Sequence, residues 1–166
     1  AGDRADALRL GPGFHPGEAF REGRGVDVPG GLHERRGFLE VYAAWNRLTK
    51  KPPLVVRAQK VPDEGPAPTG ISIQVGCTPE PSGLFITGDV ALQFSRYAGV
   101  GVTLLEAQAC GMPVITVDAP PMNELAPDLL VPVERVQPVI LCGKSLPTYV
   151  GSSQGLSKRI EELSGK

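Results

Sequence analysis

The chain has 166 residues, 41% of them hydrophobic and 21% charged, which is enough apolar material for the core of one α/β domain and too little length for two. Lys and Arg number 17 against 18 Asp and Glu, for a formal charge of -1, and that balance excludes a nucleic-acid surface or a polybasic membrane anchor. No apolar run approaches the roughly 18 residues of a membrane span, and residues 1–10 lack a signal-peptide core, so neither a transmembrane segment nor a secretory leader is expected and a cytoplasmic location is.

Residues 1–25 read as an irregular, linker-like segment, because Gly11, Pro12, Gly13, Pro16, Gly17, Gly23 and Gly25 leave no room for a long element. Residues 26–166 read as the folded domain. Val26-Asp27-Val28 is a short strand, followed by a helix beginning near His33 or Glu34. Phe38, Val41, Tyr42, Trp45 and Leu48 recur at helical spacing, and Lys50-Lys51-Pro52-Pro53 ends that helix. Leu54-Val55-Val56 is a buried strand, residues 60–70 are a Pro- and Gly-rich loop, and Ile71 to Val75 alternates as a third strand. Pro79 to Thr87 leaves room for one short helix. Asp89 to Phe94 is a fourth strand, Val102 to Cys110 an almost wholly apolar helix closed by Gly111, Pro113 to Val117 a fifth strand and Leu129 to Val131 a sixth. Leu156, Ile160 and Leu163 place a short amphipathic helix on the surface near the end. Apolar strands separated by helices predict a Rossmann-like, doubly wound parallel sheet of about six strands with helices on both faces.

The informative stretch runs from Ser95 to Glu124. A buried strand ends at Phe94, a glycine turn follows, and a helix starts near Gly101. The carboxyl ends of parallel strands face the ligand crevice. Gly99 and Gly101 let the backbone approach a ligand, and the free amides of the helix start hold phosphate at the positive end of the helix dipole. Any phosphate ligand fits that much. Glu106 stands about five residues further on, roughly 7 to 8 Å along the axis at 1.5 Å per residue, with Thr103 on the same face. In an apolar helix its carboxylate is expected to need partners. A ribose diol beyond a diphosphate supplies two; a neighbouring backbone group or cation is the plainer alternative.

These residues resemble a known family. Ser95-Arg96-Tyr97-Ala98-Gly99-Val100-Gly101-Val102-Thr103-Leu104-Leu105-Glu106-Ala107-Gln108-Ala109-Cys110-Gly111-Met112-Pro113-Val114 is similar to the donor-site signature of family 4 (group 1) retaining glycosyltransferases, S-x-x-E-G-x-G-x-x-x-x-E-A-x-A-x-G-x-P-V. Asp118 to Glu124 resembles the family's next loop at the donor pocket, and Arg35-Arg36-Gly37 its basic element at the start of the first helix. The resemblance implies the carboxyl-terminal half of a GT-B enzyme, which holds a nucleotide-diphosphate sugar, a UDP- or GDP-sugar, as donor substrate. Glu106 then binds the ribose, and Arg36 with Arg35 neutralises the diphosphate. Gly99, Val100, Gly101, Val102 and Thr103 form the amide-bearing turn, and Asn123 and Glu124 line the pocket. The resemblance implies no cofactor and no metal, the leaving group being stabilised by cations and a helix terminus.

Two positions depart from the pattern. The first glutamate of the family's E-x7-E motif, which contacts the transferred sugar, is Ala98 here, and a frequent arginine six residues before Arg36 is Gly30. With one Rossmann-like half in 166 residues, the expected partner is an acceptor-binding domain, in a longer chain or a separate subunit, and this chain alone is expected to be an inactive half. The alternative is a non-catalytic nucleotide-sugar binding module with a disabled site. An ordinary dinucleotide-binding domain wants a G-x-G-x-x-G turn after the first strand, which Pro29-Gly30-Gly31-Leu32-His33-Glu34 does not supply.

Other candidates read as structural. Cys77, Cys110 and Cys142 are odd in number, widely spaced and accompanied by only two histidines, so buried reduced thiols are expected rather than zinc ligands or disulfides. His15 and His33 read as solvated, and Lys158 to Glu162 as a mixed-charge helix face.

Overall fold

The computed structural model describes residues 26–28, 37–58, 66–75, 90–97, 101–126 and 129–164. In chain order the elements are β1 (Val26–Val28), α1 (Phe38–Arg47), β2 (Leu54–Ala58), β3 (Ile71–Val75), β4 (Val90–Gln93), α2 (Val102–Ala109), β5 (Val114–Val117), α3 (Met122–Leu125), β6 (Leu129–Val131), β7 (Val133–Leu141), β8 (Lys144–Gly151) and α4 (Ser153–Leu163). The first six strands form one sheet in the order β3-β2-β1-β4-β5-β6, and every pair is parallel. Its register sets Val26 beside both Leu54 and Val90.

That order makes the sheet doubly wound. From β1 through α1 the chain steps outward to β2, and from β4 through α2 and from β5 through α3 it steps outward in the opposite direction. Right-handed crossovers then put α1 on one face and α2 and α3 on the other. Packing agrees: α4 lies against α1 and β6, and α2 touches α3, β4 and β5. The fold is the predicted α/β class.

Burial follows from strand position. Central β4 and β5 are buried along their whole length, as strands covered on both faces must be, while edge strand β3 alternates between half-buried Ile71 and Ile73 and exposed Ser72 and Gln74. The helical face of Phe38, Val41, Tyr42, Trp45 and Leu48 is buried in the common core, with the Phe38 and Tyr42 rings edge to face at 5.8 Å. At its C-terminal end, Trp45 Nε1 donates to the Pro52 carbonyl at 3.2 Å and so anchors the turn into β2. Leu156, Ile160 and Leu163 of α4 also enter the core, so that helix seals the sheet and is more than a surface element. Its start is capped by Ser152 Oγ, which accepts from Gly155 N at 3.2 Å.

Three details correct the sequence reading. The helix expected near His33 starts instead at Phe38, because Gly37 takes a left-handed conformation (φ 67°, ψ 31°) that no α-helix can run through. Residues 132–151, assigned no element, form the antiparallel hairpin β7–β8. Its two-residue turn has Cys142 at φ 49° and Gly143 at φ 74°, the pair of positive φ values of a type I′ turn. Cys142 is therefore exposed and Cys110 half-buried, both free thiols and neither in the core; Cys77 lies outside the described residues.

The hairpin's edges are blunted. Leu141 pairs with Lys144 across the turn and Pro138 with Pro147 three rungs on. The ladder's alternation makes that rung non-hydrogen-bonded, so the missing N–H groups of both prolines face outward and deny a further strand its partners. Two rungs further from the turn on the same alternation, Tyr149 N points out and donates to the Arg96 carbonyl at 2.7 Å. The hairpin is thus rooted at the carboxyl end of β4.

Candidate functional site

β1 and β4 are neighbours, yet the helices that follow them wind to opposite faces. A crevice at the carboxyl ends of the strands opens at such a switch point. Both helices that flank it begin in the same way. Gly37 before α1 has φ 67° and ψ 31°, Gly101 before α2 has φ 68° and ψ 31°, and neither helix start receives a side-chain cap. Two N-terminal turns, with amides that their own helices leave without partners, thus border the crevice where an anion is best stabilised.

Glycine is required at both places for space as well as for φ. A Cβ on Gly37 would fall on the carbonyl oxygen of Phe94, and one on Gly101 would come within 2.5 Å of Leu125 Cδ1. The first contact holds α1 against the end of β4; the second seats α3 over the start of α2. Asn123 and Glu124 both lie on α3, which this contact holds beside the start of α2. Asn123 Nδ2 donates to Asp118 Oδ1 at 3.0 Å, and Glu124 is exposed.

Polar groups are buried near the ends of β4 and β5. Gln93 Nε2 donates to Ser95 Oγ at 2.9 Å, and Thr116 Oγ1 donates to the Gln93 carbonyl at 2.9 Å. These bonds tie the ends of β4 and β5 together with their polar groups satisfied. Beside them, Arg96 donates from one terminal nitrogen to Glu40 Oε1 at 2.7 Å, joining the loop after β4 to the first turn of α1. Neither residue stood out in the sequence. Arg96 falls inside the resembling segment at one of its variable positions, and no periodicity marks Glu40.

Glu106 requires a correction. It is exposed, and so are Val102 and Leu105; of α2 only Leu104 and Ala107 are buried. The helix is apolar in composition but lays one narrow stripe on the sheet, so the carboxylate suffers no burial that demands a partner. Its placement is still one-sided: Glu106 lies one turn beyond half-buried Thr103, on the helix that starts at Gly101. Arg35, Arg36, Ala98, Gly99 and Val100 lie outside the described residues. Among the described residues no cluster of His, Cys, Asp and Glu is set to hold a metal ion, and no helix is long and apolar enough to cross a membrane.

Comparison with known families adds one finding to this geometry. Residues 76–129 match the family model for glycosyl transferases group 1. The match covers about a third of the chain, from the end of β3 to the start of β6, and so contains β4, α2, β5 and α3. The matched segment therefore includes the start of α2 at Gly101, which borders the crevice on one side, and contains Glu106, Asn123 and Glu124. No curated protein matches the chain.

Proposed function

We propose that the chain is the donor-binding half of a retaining glycosyltransferase of the GT-B type, and that the crevice between β1 and β4 holds a nucleotide-diphosphate sugar. The observation that carries this reading is the pair of left-handed glycines, Gly37 and Gly101, that start two uncapped helices on either side of the switch point, the second inside the group 1 segment. The diphosphate lies between the helix starts, where amides and dipoles compensate its charge. Arg35 and Arg36, in the segment just before α1, add cations. The ribose reaches along α2 to Glu106, whose carboxylate accepts from both hydroxyls. The leaving diphosphate is stabilised by these groups without a metal. Sugar transfer needs an acceptor-binding half to close over the crevice, in the same longer chain or a partner subunit, and a location in the cytoplasm suits a nucleotide-sugar donor.

The test is a panel of UDP, GDP, ADP and their sugars titrated into the chain, followed by melting temperature and calorimetry. One nucleoside diphosphate is expected to stabilise the chain well above the others. Glu106→Gln then weakens that ligand by about 1.5 to 3 kcal/mol, the worth of charge-assisted hydrogen bonds, and leaves the melting temperature of the free protein in place, since Glu106 is exposed. An unchanged affinity removes Glu106 from the site.

Ala98 favours a second reading, a nucleotide-sugar binding module without transferase activity, because the residue aligned with the sugar-facing glutamate carries only a methyl group. If position 98 faces the sugar, Ala98→Glu tightens the nucleotide sugar and leaves the bare diphosphate unchanged. A glutamate that alters both affinities equally places residue 98 elsewhere.

A further inference from the structure

We propose that Arg96 and Glu40 are positioning residues of the crevice: their ion pair fixes the end of β4, from which the chain runs to α2, against the N-terminus of α1. The inference rests on the nucleotide-sugar reading of that crevice. The two side chains are 56 residues apart in sequence, meet at 2.7 Å and are 13% and 11% exposed, so solvent and salt screen them far less than a surface pair.

Three elements converge on Arg96. Its guanidinium holds α1 through Glu40, its carbonyl oxygen accepts from Tyr149 N of β8, and its backbone continues into residues 98–101 and the start of α2. Glu40 is equally well placed. It sits in the first turn of α1, and its second oxygen, Oε2, lies 3.3 Å from where a Cβ on Gly37 would stand. The pair thus ties the first turn of α1 to the end of β4, five residues before the Gly101 that starts α2.

Adhesion alone is a poor explanation for the pair. Phe38, Val41, Trp45, Leu92 and Phe94 already pack α1 onto the sheet, and apolar groups of the same volume often replace a buried ion pair without loss of stability. What an ion pair adds over apolar contact is a defined distance and direction. Holding both amide clusters at one separation spares the ligand the cost of arranging them.

The contact uses one terminal nitrogen of Arg96, and Nε is not engaged, so a lysine can reproduce it. The experiment compares Arg96→Met, Arg96→Lys, Glu40→Gln and the exchanged double variant Glu40→Arg/Arg96→Glu in the 166-residue chain. The melting temperature is read beside calorimetric affinities for UDP and GDP and for uridine and guanosine. Arg96→Met and Glu40→Gln are expected to weaken the preferred diphosphate about tenfold, within the coupling seen between members of one charged network, and the matching nucleoside much less. Arg96→Lys retains most of the affinity, and the exchanged pair recovers it.

Lower melting temperatures with unchanged diphosphate affinity would reduce the pair to a structural contact and overturn the proposal. So would an exchanged variant that regains stability but not affinity, because Arg96 would then touch the phosphates itself. If Arg96→Met does not fold, the lysine and exchanged variants decide the matter. A wild-type chain that binds no nucleotide overturns the donor-site reading and this inference with it; a wild-type chain that binds, with variants that bind equally well, overturns this inference alone.

Discussion

Gly37→Ala is expected to lower the melting temperature and the diphosphate affinity together. The left-handed φ of 67° costs a residue with a Cβ about 1–2 kcal/mol. The added methyl also falls on the Phe94 carbonyl oxygen, with Glu40 Oε2 and Phe94 Cδ1 each at 3.3 Å closing the other directions. A backbone oxygen has no rotamer to retreat into, so α1 has to lift from the end of β4, at an overpacking cost of about 1–3 kcal/mol. At about 2–4 °C per kcal/mol for a domain of this size, the combined effect is a fall of roughly 5–20 °C. Gly101→Ala provides the contrast. Its φ penalty is the same, but its methyl meets the end of the Leu125 side chain, which can rotate away, so the loss is smaller. Scanning calorimetry of both variants checks the argument, and a Gly37→Ala protein as stable as the wild type would contradict the close approach of α1 to β4.

Trp45→Ala is expected to cost more stability than any surface change and to do so without touching the crevice. Trp45 is fully buried, and truncating a buried tryptophan to alanine removes about 3–5 kcal/mol. Its indole N–H is the donor to the Pro52 carbonyl, so a buried acceptor is also left without its partner, at about 1–3 kcal/mol. Against a typical domain stability of about 5–15 kcal/mol, that is a large fraction. Trp45→Phe keeps most of the ring volume and loses mainly the hydrogen bond, so urea denaturation should rank it between wild type and alanine. Equal losses for the two variants would show that ring volume contributes nothing.

How much of the site was legible depends on the range of the interaction that places each residue. Gly101 was legible because a helix start needs a break and the break is local. The Gly99–Gly101 spacing and Glu106 were legible from local chemistry and helix rise, Asn123 and Glu124 entered through resemblance, and the group 1 match over residues 76–129 spans the same segment. The burial of Glu106 was misjudged because a helix of mostly apolar residues gives no contrast between its faces; only the sheet beneath α2 selects Leu104 and Ala107 as the buried stripe. The local signal for the hairpin is the Cys142-Gly143 pair between Val133–Leu141 and Lys144–Gly151. Pro138 and Pro147 argued locally against strands, and they are tolerated because both face an outer edge.

By itself the sequence determined the parallel α/β class, the core face of α1 from Phe38 to Leu48, the buried runs of β4 and β5 and the amphipathic stripe of α4, since each depends on neighbours within one or two turns or on strand alternation. Only the tertiary structure decided that β1 lies beside β4, and with that the place of the crevice, the approach of Gly37 to Phe94 and the pairing of Glu40 with Arg96. Those three follow from strand order, which brings together residues more than 50 positions apart through contacts that no local period encodes.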